Sequence, residues 1–269
     1  MVFIGLSGCA TNRNMMRIEQ SHMESPVRVL VMESPLSIEP KRLQAVLAPG
    51  IKPDLPASAE QVAQGEKHAR EYALASMRKA LGNQAGLDII TPPSEQSPIF
   101  SDIGGMKFES AITQDEADRL RAATGADALF RFGITDYGLT PESWRDGYIT
   151  FEVTSTLAIA GVIAYAGTAA AKAAAGAYLV QEGIEESAES YAGFWALDAV
   201  NRPVRIEAEL VRLDPVGTVW EASETGLSDV KLSRLARKVD SVELSNQLDQ
   251  STNYAVRDVA SNLSTALKK

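Results

Sequence analysis

Between residues 204 and 210 the apolar side chains fall on every second position, and that period dictates a β-strand. Val204, Ile206, Ala208 and Leu210 alternate with Arg205, Glu207 and Glu209, so the two sets project from opposite faces of a strand. Asp214-Pro215-Val216-Gly217 then supplies turn-forming residues, and Thr218-Val219-Trp220-Glu221-Ala222 reads as the returning arm of a hairpin.

The same reading along the chain finds further elements. Val27 to Met32 is an apolar run between Pro26 and Pro35 that suits a mostly buried strand. A Pro-rich stretch with Pro49, Pro53 and Pro56 precedes a helix expected over 57–81, which Gly82-Asn83 ends. Gly86 to Ile90 reads as a second strand, stopped by Pro92-Pro93, and 94–110 shows no regular signal. Thr113-Gln114-Asp115-Glu116 is a capping box, in which the Thr113 hydroxyl accepts from the Glu116 amide while the Glu116 carboxylate accepts from the Thr113 amide. That helix runs through Ala117, Leu120 and Ala123 to Gly125, and Ala128 to Ile134 follows as a strand with Phe130, Phe132 and Ile134 on one face. Ile149, Phe151 and Val153 alternate with Thr150, Glu152 and Thr154, which predicts another strand. An amphipathic helix through Tyr254, Val256, Val259, Leu263 and Leu267 closes the chain. This order of elements predicts an α+β domain whose mixed β-sheet is packed with helices.

Composition narrows the function. With 45% hydrophobic residues the chain has ample material for a core. A net charge of −9 argues against a nucleic-acid binder, which would carry a basic patch or stripe. The single cysteine excludes an internal disulfide framework and any multi-cysteine zinc site.

Residues 157–180 form an Ala/Gly-rich segment whose only charge is Lys172, expected as a helical insertion reaching to about residue 200. As a helix it would extend roughly 36 Å, against a bilayer core of about 30 Å. Alanine and glycine contribute little to insertion, however, and Lys172 would cost about 2.5 to 3.5 kcal/mol. Ala166, Ala170 and Ala174 form one row at four-residue spacing, and Ala169, Ala173 and Ala177 form another, as in small-xxx-small helix association. The segment is open to three readings: a helix packed in its own domain, a seam between subunits, or a membrane contact. After it, Glu182, Glu185, Glu186 and Glu189 make an acidic helical face beside Tyr191, Phe194 and Trp195. That face is either solvated or a docking patch for a basic partner.

At the start of the chain, the apolar run Val2 to Leu6 leads into Ser7, Gly8 and Cys9, the sole cysteine. Leu6-Ser7-Gly8-Cys9 resembles the lipobox of bacterial lipoproteins, in which the peptide before the cysteine is removed and the thiol receives a diacylglyceryl group. The resemblance implies lipidation at Cys9, with that covalent lipid and no other cofactor. A secretory signal opens with a positive stretch and a longer apolar segment, so either translation is expected to begin upstream of Met1 or the sequence to have been trimmed. A buried thiol is the alternative, since free cysteine packs as a small hydrophobe. Residues 1–9 are thus read as signal, 10–25 as a polar tether and 26–269 as the folded domain. Ala10, where an aspartate would favour inner-membrane retention, implies transfer to the outer membrane, with the domain facing the periplasm.

Two further stretches carry a second resemblance. Thr124-Gly125-Ala126-Asp127-Ala128-Leu129, leading into Phe132-Gly133-Ile134-Thr135-Asp136-Tyr137, is similar to the helix, Gly-Ala-Asp, strand step of envelope lipoproteins with a TolB-N-terminal-like domain. Leu213 to Trp220 is similar to their late strand pair. The family includes curli secretion-channel lipoproteins and activators of penicillin-binding proteins. The resemblance implies either an assembly component of a secretion or surface-structure apparatus, forming homo-oligomers or complexes with other envelope proteins, or a tethered regulator of a cell-wall synthesis enzyme. A tether of about 16 residues reaches at most roughly 55 Å, which disfavours the second. The family's membrane-inserted strands have no counterpart in 157–180, which lacks the alternation of a barrel strand.

Catalytic patterns are thin. His22 lies in the tether and His68 in a Lys/Arg/Glu-bearing helix, neither beside ligands at metal spacing. Gly5-Leu6-Ser7-Gly8 has the wrong spacing for a nucleophile elbow, and Gly167 to Lys172 lacks the glycine that must precede the lysine of a phosphate loop. The expectation is a non-enzymatic protein without a bound metal.

Overall fold

In the computed structural model the described residues are 26–35, 38, 40–47, 57–90, 100, 102, 105–106, 108, 110–141, 144–147, 154, 193–195, 197–236 and 239–267. They form an α+β domain. A five-stranded mixed sheet runs in the order β2-β1-β3-β4-β5, with β1 at Val27–Glu33, β2 at Leu87–Ile90, β3 at Ala128–Tyr137, β4 at Val204–Leu213 and β5 at Val216–Gly226. The first three are mutually parallel, and β4 and β5 are antiparallel additions.

Helices cover both faces. The larger core lies on the side of Val29, Val31, Phe130, Phe132, Ile206, Ala208, Leu210 and Trp220. It is closed by α1 (Pro40–Leu47), α2 (Ala59–Gly82) and α4 (Ser241–Leu267). Phe130, Leu210 and Trp220 stand side by side across three strands, and the Phe130 and Trp220 rings stack with centroids 6.0 Å apart. The smaller core lies behind Leu30, Leu129, Val211 and Leu213 and is covered by α3 (Gln114–Thr124) through Ala117 and Leu120.

Local chemistry explains the element ends. The Thr113 amide donates to Glu116 Oε2 at 2.8 Å, and Gly125 closes α3 in the left-handed conformation at φ 66°. Ser58 caps α2 in the same manner with Gln61, so that helix starts two residues later than the expected 57. Pro40 opens α1, a helix that the pattern of the sequence does not announce, where its missing amide is no loss. Asp214 and Pro215 alone make the hairpin turn, because Val216 and Gly217 already pair with Leu213 and Arg212. On α4, Val256, Val259 and Leu263 are buried as expected, whereas Tyr254 and Leu267 lie off the buried stripe. The expected strand at 149–153 lies outside the described residues.

The pairing registers place the chain's traffic at two poles. Val27, Leu87, Ala128 and the Leu213–Val216 turn share one end of the sheet; Glu33, Tyr137, Val204 and Gly226 share the other. The chain enters the sheet at the first pole. The connection between β3 and β4 leaves and returns at the second.

Candidate functional site

The second pole gathers most of the polar side chains that are both buried and distant in sequence. Gly138, left-handed at φ 72°, donates its amide to the Pro203 carbonyl at 2.7 Å and so ties together the two ends of the 139–202 connection. Asp198 adds a second tie. Its Oδ1 accepts from the amide and hydroxyl of Thr140, both at 2.5 Å, and its Oδ2 accepts from Arg145 Nη2 at 2.7 Å. Arg145 also donates to the Thr140 carbonyl and lies over the Phe194 ring, 5.4 Å from its centroid. Burial raises the Asp198 pKa above its ordinary value, against the opposing pull of the Thr140 and Arg145 hydrogen bonds.

Behind this clamp, Arg234 on the short 3-10 turn Leu232–Ala236 is almost wholly buried. Its Nη1 donates to the carbonyls of Val200 and Asp229 and to the Ser228 hydroxyl, and its Nε lies 3.8 Å from Glu243 of α4. The Asn201 carbonyl accepts from the hydroxyls of Ser228 and Ser251. The next residue, Arg202, holds φ 47°, a left-handed conformation rare for a residue with a long side chain. Its Nε is buried with no hydrogen-bond partner. Burial, followed by the nearby Arg234, lowers its pKa, while Asp198 opposes both.

Of the sequence-proposed partner patch, Phe194 and Trp195 lie among the described residues, on the short helical piece at 193–195, where Trp195 is 37% exposed. Glu185, Glu186, Glu189 and Tyr191 lie outside the described residues. So do Leu6, Ser7, Gly8 and Cys9 of the lipobox, and Ala166, Ala170, Lys172, Ala174 and Ala177 of the Ala-rich segment. Sequence reasoning missed Thr140, Asp198, Arg202 and Arg234, since nothing in their spacing marks a cluster that only the return of the connection to β4 creates.

Two other groupings bring titratable side chains together. His68 on α2 meets Asp249 of α4 at 2.9 Å and Ser245 at 3.5 Å, a combination of residue types that suggests a catalytic triad. Both contacts use the same ring nitrogen, Nε2. A relay needs one nitrogen for the nucleophile and the other for the acid, so the group is a helix-to-helix contact. Glu33, Lys67, Arg70 and Leu74 line a shallow groove in which Arg70 Nε donates to Glu33 at 3.0 Å. Burial raises the Glu33 pKa in spite of Arg70. Among the described residues no group of His, Cys, Asp and Glu could hold a metal ion, and no helix is long and apolar enough to cross a membrane.

No family model and no curated protein matches this sequence. Among solved structures, the chain is similar to the PelC dodecamer from Paraburkholderia phytofirmans, at 9% identity and TM-score 0.30 over 88% of each chain. A variant of that PelC dodecamer matches at 10% identity and TM-score 0.31, over 85% of this chain and 89% of the other. The hypothetical protein CT253 from Chlamydia trachomatis matches at 9% identity and TM-score 0.34, over 88% and 96%.

Proposed function

We propose that this chain is a lipid-anchored outer-membrane lipoprotein acting as a non-enzymatic assembly component of an envelope secretion or surface-structure apparatus. The observation that carries the reading is the sole cysteine standing at the acceptor position of Leu6-Ser7-Gly8-Cys9. The arrangement of the poles supports a division of labour. The tether joins the sheet at one end, and the connection holding the Ala-rich insertion is clamped by Asp198 at the other, so anchoring and partner contact are separated by the length of the strands. The partners in this reading are the membrane, through the lipid, other envelope proteins and further copies of the chain.

The test is the mass in mild detergent of lipidated protein extracted from its own membranes, alongside Cys9→Ala. A discrete multiple of the mass of the processed, lipidated chain, with C9A lost from the membrane fraction, supports the proposal. A monomer points instead to the tethered regulator. Retention of C9A in the membrane, or an unmodified Cys9 thiol, overturns the anchor.

A further inference from the structure

We propose that Arg202 and Gln247 form a binding site for an oxyanion, a carboxylate or phosphate group presented by a ligand, at the pole where the insertion leaves the sheet. The proposal starts from a conflict in the backbone. Asn201 ends the short helical turn at 197–200 by donating its amide to the Leu197 carbonyl at 2.8 Å. Arg202 follows in the left-handed conformation, with Pro203 after it. That post-helical position is the one glycine fills most often, because any Cβ is strained there. Strained backbone persists where the surrounding structure holds it, and such residues cluster at ligand sites.

The side chain is as costly as the backbone. Arg202 Nε is out of water and makes no hydrogen bond, and no ion pair is formed by Arg202 among the described residues. The carboxylates around it are committed elsewhere: both Asp198 oxygens serve Thr140 and Arg145, and Glu243 faces Arg234. A guanidinium's planar fork matches an oxyanion with two parallel hydrogen bonds.

Gln247 is an independent pointer to the same place. It is 2% exposed, and neither its Nε2 nor its Oε1 has a hydrogen-bond partner. Residues four apart share one face of a helix, and Gln247 lies midway between Glu243, which meets Arg234, and Ser251, which donates to the Asn201 carbonyl. Its amide thus belongs to the row of α4 that faces this pole. A buried amide left unsatisfied is destabilising, and an oxyanion held by Arg202 accepts the hydrogen bond that Nε2 has to give.

The experiment measures the thermal midpoint of the full chain in sodium phosphate, sodium acetate and sodium chloride at matched ionic strength, for wild type, Arg202→Gly and Gln247→Leu. The expected wild-type result is a midpoint raised by roughly 2 to 5 °C in saturating oxyanion relative to chloride. R202G relieves the left-handed strain and Q247L removes the unsatisfied amide, so both variants are expected to be at least as stable as wild type in chloride while losing the response. A response to phosphate alone assigns a phosphoryl ligand, and a response to acetate assigns a carboxylate. A wild-type midpoint unmoved by either anion, or a response that survives in R202G, overturns the site.

Discussion

Arg131 and Glu209 stand directly opposite each other across the β3–β4 ladder and form an ion pair with both side chains removed from water. Arg131 Nε donates to Glu209 Oε1 at 2.7 Å, and Arg131 Nη2 reaches on to the carbonyls of Phe108 and Ser110 at 2.8 and 2.7 Å. The guanidinium also lies over the Phe108 ring. The pair therefore fastens Phe108 and Ser110 to the smaller face of the sheet. Removing one member of a buried pair strands the other charge, at a cost of about 3 to 5 kcal/mol. Arg131→Met is expected to lose that much in urea unfolding. R131M combined with Glu209→Leu should recover part of the loss but not all, because the Phe108 and Ser110 carbonyls remain without their donor. A double variant no more stable than R131M alone contradicts this account.

Glu116 carries the pH dependence of α3. Hydrogen bonds from Thr113, first from its backbone and then from its hydroxyl, hold the Glu116 pKa below its ordinary 4.5. A lowered folded-state pKa adds stability above the unfolded value, and that stability is lost as pH falls through the folded value. Wild type should therefore lose stability relative to Glu116→Gln on acidification below about pH 4.5. Unfolding of both proteins across pH 2.5 to 6 reads the difference, and a constant gap across that range refutes it.

Asp198 should show the opposite sign. Burial keeps its folded-state pKa above the ordinary 3.8, so the folded protein holds the proton more tightly than the unfolded chain. The stability this gives is present below pH 3.8 and is lost as pH rises through the folded value. Against Asp198→Asn, wild type is expected to lose ground on going from pH 3 to pH 6. The same variant weakens the clamp on Arg145, so limited proteolysis should cut faster near 141–147.

Gly226 ends β5 where α4 crosses. A methyl group there would overlap the Ser251 carbonyl and the Ala255 amide, which are helix backbone and cannot step aside. Gly226→Ala is expected to cost about 1 to 3 kcal/mol, as overpacking does, measured as a lowered denaturant midpoint. Gly217, with open space around its Cβ position, should accept alanine almost without cost. Equal effects at the two sites would refute the packing argument.

Legibility in the sequence followed how local each determinant is. The Thr113 capping box, the stop at Gly125 and the alternation through β4 are written within a few residues, and the fold displays all three. The helix at Pro40 escaped notice because one proline at a first helical position reads like any other in a Pro-rich stretch. Arg131 and Glu209 have the alternation of solvent-facing residues, and contacts with the distant Phe108 and Ser110 accompany their burial. Tyr254 and Leu267 fit the helical period loosely, but the buried stripe of α4 follows Leu244, Leu248, Val256, Val259 and Leu263. Arg202 could not be found from sequence at all, since a left-handed arginine has no compositional sign.

The chain enters β1 at one pole of the sheet and leaves β3 at the other. A load applied between residues 26 and 141 pulls β1 toward one pole and its parallel neighbour β3 toward the other, along their shared axis. The hydrogen bonds between them then bear the load together and must shear as a group, instead of opening one at a time as in a peeled hairpin. The ten residues of β3 make that loaded strut about 33 Å long. A domain strung this way resists being stretched between its point of entry and the Thr140–Asp198 clamp beyond β3.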